Sequence, residues 1–175
     1  MSSRLSKWDR KVTQRLCVAE KTGLLRTLAA LLARSGDSWF WLAGLALLGL
    51  LGGDSWKGRA LAMAAGVLVT AVLVLAIKFA VHRRRPQGEW GQIYRQTDPN
   101  SVPSGHAARA AMLAVMALGL GPAWFGLLLA VWAPLVILAR VMMGVHYFSD
   151  VAAGALLGIL LGALYLQVLP TLLPF

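Results

Sequence analysis

SGHAARAAMLAVMALGLGPAWFGLLLAVWAPLVILARVMMG, residues 104–144, carries two full charges, Arg109 and Arg140, and one break, at Gly119-Leu120-Gly121-Pro122. A helix needs about 20 apolar residues to cross roughly 30 Å of hydrocarbon, so about forty are too many for one crossing. Gly-Pro ends one helix and allows the next to restart. The stretch therefore reads as a tight hairpin of two membrane spans. As one continuous helix rising 1.5 Å per residue it would hold Ser104 and Arg140 about 54 Å apart, more than a bilayer. The hairpin brings them to the same side.

Working outward, the same ruler finds three more spans. Residues 60–81 are apolar with a single charge, Lys78, near the end, after a polar linker at residues 54–59. Residues 38–53 form a short span with Trp39 and Trp41 as interface anchors, and residues 151–169 form the last, ended by Pro170. Gly154, Gly158 and Gly162 recur every four residues, a stripe of small residues for close helix packing. The apolar run in residues 24–32 is interrupted by Arg26 and closed by Arg34, too short and too charged to span. Residues 5–34 therefore read as an interfacial amphipathic helix or helix pair. The expected architecture is all-α: an integral membrane bundle of five transmembrane helices with an N-terminal interfacial helix, or six if residues 24–53 hide another crossing. Residues 1–37 are taken as the basic interfacial segment and 38–175 as the transmembrane domain.

Composition agrees. Of 175 residues, 58% are hydrophobic and only 14% charged, too few charges to clothe a soluble domain of this size. High hydrophobicity also excludes disorder. The formal net charge of +10, from 17 Lys and Arg against 7 Asp and Glu, would suggest nucleic acid in a soluble chain. In an apolar chain it reads as basic flanks facing lipid head groups or the cytoplasm, so no nucleic acid is expected. Cys17 is the single cysteine, which permits no internal disulfide. No apolar core directly follows Arg4, Lys7, Arg10 and Lys11, so a cleaved signal peptide is not expected.

Ionisable residues at span ends cost free energy unless they pair or work. Lys78 and Arg85 are seven apart, two turns of helix, which puts them on one face at the end of the second span, with Pro86 stopping the helix beyond. Arg83 and Arg84 read as interface anchors. Pro103-Ser104-Gly105-His106 opens the third span, where free N–H groups favour an anion. His146 and Asp150 are one turn apart at the start of the last span, the spacing for a carboxylate to hold an imidazole. The hairpin puts the 83–103 and 141–149 loops on one side. Lys78, Arg85 and Arg140, with Ser104 and the Gly105 N–H, then form an oxyanion cradle. His106 and His146 beside it supply a nucleophile and a proton donor. That set suffices for phosphoryl transfer without a metal, so no metal or other cofactor is expected.

Lys78-x6-Arg85-Pro86, Pro103-Ser104-Gly105-His106 and Arg140-x5-His146-x3-Asp150 stand in the order and topological placement of three signature motifs. Over about residues 36–170 the chain resembles the type 2 phosphatidic acid phosphatase superfamily, whose active-site design is shared with vanadium haloperoxidases and acid phosphatases. The third motif of that family usually begins Ser-Arg, and here Ala139 precedes Arg140, which removes one expected hydroxyl contact to phosphate. The resemblance implies that His146 attacks phosphorus to form a phosphohistidine while Asp150 fixes its tautomer. It implies that His106 protonates the leaving group and then activates water. Lys78, Arg85, Arg140, Ser104 and Gly105 would hold the phosphoryl oxygens.

The function these readings favour is an integral-membrane lipid phosphatase acting on phosphatidic acid, phosphatidylglycerol phosphate or a polyprenyl diphosphate. Its partners are the phosphorylated lipid and the bilayer. The alternatives are a lipid phosphotransferase, or a non-catalytic protein that binds or transports a lipid phosphate. The loop at residues 87–103, with Trp90, Tyr94 and Arg95, is the place to look for head-group contacts. The protein is expected in the cell (inner) membrane with its site at the interface. With five spans, all Lys and Arg except Lys57 and Arg59 share the side of the site, which the positive-inside rule makes cytoplasmic. The family resemblance points instead to the outer face.

Overall fold

Ser104 sits at the helix N-cap that opens the hairpin, its Oγ accepting the Ala107 N–H at 3.5 Å, and Gly121-Pro122 separates the two arms. The computed structural model describes residues 3–88 and 90–172. It contains eight helices among those residues and no strand: α1 Ser3–Leu16, α2 Leu24–Ser35, α3 Ser38–Leu51, α4 Asp54–Val81, α5 Gln92–Thr97, α6 Gly105–Leu120, α7 Ala123–Met142 and α8 Phe148–Leu172. α4, α7 and α8 are long and apolar enough to cross a membrane, and α3 and α6 are shorter apolar helices.

α6 is the centre of the bundle. Ala107, Ala108, Ala110, Ala111, Ala114 and Ala117 are all buried, and side chains this small let neighbouring helices approach α6 from several directions. The glycine stripe of α8 lies against it as expected. A Cβ at Gly154 would run into the Ser104 carbonyl, one at Gly158 into the Ala108 carbonyl, and one at Gly162 into Val115. Met63 and Val67 of α4 join Met112 and Met116 of α6 in the same core, while α7 returns alongside α6. Outward-facing Leu61, Leu68, Val72, Leu127, Val131, Leu156 and Leu160 are exposed in the protein alone, the apolar coat of a bundle whose solvent is lipid.

Three boundaries differ from the sequence reading. The polar linker 54–59 is helical: Lys57 pairs with Asp54 at 2.9 Å one turn apart, so only Gly52 and Gly53 join α3 to α4. α8 runs through Pro170 to Leu172, the proline's missing N–H costing the helix the single bond to residue 166. The third concerns Lys78 and Arg85, which do not share a helix face. α4 stops at Val81 with His82 left-handed at φ 51°, its N–H donating to the Lys78 carbonyl at 3.1 Å. Beyond it the chain is drawn away by pairing: Ser101 N–H donates to the Arg83 carbonyl at 2.7 Å, and Arg84 bridges Asn100 in antiparallel fashion.

The N-terminal segment is a helix pair. α2 packs Ala29 and Ala33 against Ala139 and Met143, leaving Leu24, Leu25, Leu28 and Leu31 exposed. This packing accounts for Ala139: it is buried against a helix, where an added hydroxyl would need a partner. α1 reaches the start of α8, where Asp9 accepts from the Ser149 N–H at 3.0 Å and Thr13 from the Phe148 N–H at 3.2 Å.

Candidate active site

Three separate segments converge at one end of the bundle, and backbone hydrogen bonds set their spacing. The Ser104 N–H donates to the Asp150 carbonyl at 3.0 Å, tying the first turn of α6 to that of α8. The close approach of Gly154 to Ser104 makes that distance possible. Val145 N–H donates to the Arg140 carbonyl at 3.3 Å, closing the turn that carries His146.

The expected cations meet. Lys78 is buried and ion-paired to Asp98. Arg85 arrives from the extended segment after α4 and donates to the Asp98 carboxylate at 2.7 Å, the Asp98 carbonyl at 2.6 Å and the Val145 carbonyl at 3.0 Å. Arg140, fully buried, donates Nη1 to the Ala33 carbonyl at 3.1 Å and lies over the Tyr94 ring, 4.7 Å from its centre. Its Nε and Nη2 have no hydrogen-bond partner among the described residues. These cations, His106 and His146 line one cavity of about 250 Å³.

His146 lies in the turn before α8 and not on the helix face, since α8 begins at Phe148. Its Nδ1 is nevertheless 3.6 Å from Asp150 Oδ2. That carboxylate is held by the Tyr147 N–H at 2.8 Å and by Arg83 Nη1 at 2.7 Å. Arg85 Nη1 is 2.9 Å from His146 Nε2. A guanidinium can only donate, so Nε2 must be the unprotonated nitrogen and Nδ1 carries the hydrogen toward Asp150. Burial, then the charges of Arg85, Arg140 and Lys78, hold the imidazole well below the usual histidine range. It is therefore a neutral base with its lone pair turned toward the cations, the protonation state of a nucleophile.

The second imidazole has a partner that the sequence did not suggest. His106 Nε2 is 2.7 Å from Asp37 Oδ1. Burial pushes the Asp37 carboxyl up, but the hydrogen bond with His106 together with the charges of His106, Arg140 and Arg109 holds it below the usual range. The boundary drawn after residue 37 thus crosses a contact with an expected site residue.

Ser104 and Gly105 occupy the first turn of α6, with Gly105 and His106 lining the cavity. All eight expected site residues gather at this end of the molecule. Arg83 is not the snorkelling anchor expected from its position. It bridges Asp150 and Asp9, the latter at 2.7 Å, and stacks its guanidinium on Tyr147 at 4.3 Å. Asp9, Asp37, Asp98 and Arg109 were missed as site components. Arg109 donates twice to the Gly36 carbonyl, at 3.0 and 2.6 Å. A signal was available: the chain has only seven acidic residues, and an acid near a span end in so basic a protein is placed to neutralise a cation.

The chain is similar to known phosphatases along most of its length. The decaprenylphosphoryl-5-phosphoribose phosphatase of Mycobacterium tuberculosis is 34% identical over 151 residues, covering 84% of this chain and 81% of that protein. An undecaprenyl-diphosphatase of Sulfolobus acidocaldarius is 32% identical over 148 residues, covering 82% and 70%. The crystal structure of a transmembrane PAP2 type phosphatidylglycerolphosphate phosphatase from Bacillus subtilis shares the fold. It superposes with a TM-score of 0.79 over 99% of this chain and 90% of that one, at 23% identity. The apolar helices and these relatives make the chain an integral membrane protein. The model of the PAP2 superfamily matches residues 59–173, from within α4 through every residue lining the cavity except Ser38 to the end of α8, and the chain belongs to that superfamily.

Proposed function

We propose that this membrane lipid phosphatase removes a terminal phosphate from a polyprenyl lipid through a phosphohistidine on His146. One observation carries the reading: a single cavity unites four buried cations, Lys78, Arg85, Arg109 and Arg140, with two imidazoles, and two guanidinium nitrogens of Arg140 have no acceptor among the described residues. Such donors are costly to bury alone, and the oxygens of a phosphoryl group offset that cost.

In the first step Nε2 of His146 attacks phosphorus, and the N–P bond forms as the P–O bond to the lipid breaks. The released electron pair stays on the leaving oxygen, which takes a proton from His106. In the second step water attacks phosphorus and gives its proton to His106. The N–P electron pair returns to Nε2, and inorganic phosphate leaves. Lys78, Arg85, Arg140, Ser104 and the Gly105 N–H hold the phosphoryl oxygens, and Asp150 keeps the proton of His146 on Nδ1. Arg85 Nη1, now on Nε2, transfers to a phosphoryl oxygen when substrate enters, so binding itself uncovers the lone pair. The Asp98 carboxylate, bound to Lys78 and Arg85, yields its place to phosphate in the same movement.

Polyprenyl substrates are supported by the names of the two relatives. They are also supported by a second cavity of about 680 Å³, with Leu31, Trp39 and Phe40 on its apolar side and Arg34, Asp37 and Tyr94 on its polar side. The leaving lipid occupies it. The membrane arrangement is five crossings, α3, α4, α6, α7 and α8. At 1.5 Å per residue α3 and α6 are ~21 and ~24 Å long, which thins the bilayer locally. Residues 1–37 form a membrane-surface segment and 38–175 the transmembrane domain, and the site faces the cytoplasm.

The test is phosphate release by the purified protein in detergent, with EDTA present, from polyprenyl diphosphate and phosphatidic acid. Expected are faster release from the polyprenyl substrate, loss of at least about a thousandfold in His146→Ala, and an acid-labile phosphoenzyme in rapidly quenched wild type. Normal turnover by a folded His146→Ala protein, or collapse of activity with EDTA, overturns the reading.

A further inference from the structure

We propose that Asp37 is a positioning residue for His106. From the corner between α2 and α3 its carboxylate orients the ring through Nε2 and balances the ring's charge whenever His106 carries the transferable proton. The inference rests on His106 being the proton donor of the reaction above.

Asp37 occupies the N-cap position of α3, where an aspartate ordinarily accepts a hydrogen bond from the first turn of its own helix. Here the side chain makes no such bond and reaches 2.7 Å to His106 Nε2 instead. The corner that presents it is fixed by donors from the bundle helices. Arg109 of α6 holds the Gly36 carbonyl through two nitrogens. Trp132 of α7 donates to Ser35 Oγ at 2.9 Å, and Trp41 of α3 to the Ser35 carbonyl at 3.0 Å. Gly36 itself lies so close to the imidazole that a Cβ there would come within 3.1 Å of His106 Cδ2. The corner and the ring are packed directly against each other.

The chemistry follows from donor and acceptor roles. A carboxylate accepts, so His106 carries a hydrogen on Nε2, and Nδ1 is the nitrogen left to exchange a proton with the leaving oxygen and then with water. Asp37 stays ionised throughout, as the buried aspartate of a catalytic triad does. Arg109 and Arg140 line the same cavity as His106, and the cavity's own carboxylate, Asp98, is already paired with Lys78 and Arg85, so without Asp37 the imidazolium would form beside two guanidinium groups with no carboxylate bonded to it.

The discriminating experiment compares a substrate that needs a proton donor with one that does not. Leaving-group release in a single turnover is measured on an alkyl lipid phosphate and on a 4-nitrophenyl phosphate bearing an alkyl chain, for wild type, Asp37→Asn, Asp37→Ser, Asp37→Glu and His106→Ala. Asn and Ser cap helices as well as Asp does, so a purely structural role for Asp37 would leave both substrates untouched. Expected is a loss of about a hundredfold on the alkyl phosphate and less than about tenfold on the aryl phosphate in Asp37→Asn and Asp37→Ser, with substantial recovery in Asp37→Glu. Equal losses on both substrates, or none on the alkyl phosphate, overturn the proposal. If His106→Ala fails to show the same substrate dependence, the assignment of His106 as proton donor falls, whatever Asp37 does. Nitrogen-15 NMR of wild-type histidines checks the geometry without any variant: a neutral His106 with its proton on Nδ1 overturns the proposal as well.

Discussion

His146 is buried, uncharged and surrounded by cations, and that state has a measurable consequence for stability. In the unfolded chain its imidazole titrates near the ordinary 6.5, and in the folded protein well below it. Between those values the unfolded chain binds one more proton, so stability rises with pH there. The contribution is complete above about pH 6.5 and is lost as pH falls toward the folded value, by up to about 1.4 kcal/mol per pH unit. The melting temperature in detergent should therefore fall more steeply between about pH 7.5 and 5.5 in wild type than in His146→Asn. Parallel curves would show that the imidazole is not held neutral. At this scale the sequence was legible at the ends of apolar runs, where Lys78, Arg140 and His146 announce themselves, but not at Arg109, a lone charge inside one. Asp37 and Asp98, acids near span ends in a basic chain, announce a cation to be neutralised but not which one. Only the fold brings them to His106 and to Lys78.

At the scale of helices, the period-four glycines of α8 were legible because close packing leaves a mark in residue size. At Gly158 the obstacle to a Cβ is the Ala108 carbonyl, which is backbone and cannot rotate away. Gly158→Ala should lower stability by about 1–3 kcal/mol, and it should lower activity too, since the Ser104–Asp150 backbone bond lies along the same interface. Gly44 in α3 is the matched control. A Cβ there meets nothing within 4 Å, so Gly44→Ala should be neutral or stabilising by up to about 1 kcal/mol. Thermal melts of the two variants in one detergent make the comparison, and equal shifts would remove the close-packing account of the stripe. The end of α4 was less legible. A two-turn spacing from Lys78 to Arg85 holds only while the helix continues, and the pairing of residues 83–84 with 100–101 ends it first. The two cations still meet, through Asp98 and not through a shared face.

Across the whole molecule, the distribution of charge bears on orientation. Lys78, Arg83, Arg85, Arg109 and Arg140 are tied into the site by ion pairs and hydrogen bonds, so their side of the membrane is dictated by chemistry. The informative cations are those flanking the first crossing. Eight Lys and Arg precede α3, from Arg4 to Arg34, in the segment whose Asp9, Thr13 and Val18 bond to the end of the bundle that holds the site. On the far side stand Lys57, already paired with Asp54, and Arg59, stacked on Trp56 at 5.4 Å. The bias near α3 supports the proposed placement of the N-terminal helices, and with them the cavity, on the cytoplasmic side. A single cysteine in place of exposed Gln92 at the start of α5, or of exposed Ser55 in the first turn of α4, reports the two sides in a Cys17→Ser background. In intact cells a membrane-impermeant maleimide should label Ser55→Cys, and label Gln92→Cys only after the membrane is opened. The reverse pattern would put the cavity on the outer face, with substrate reaching it from the outer leaflet and phosphate released outside the cell.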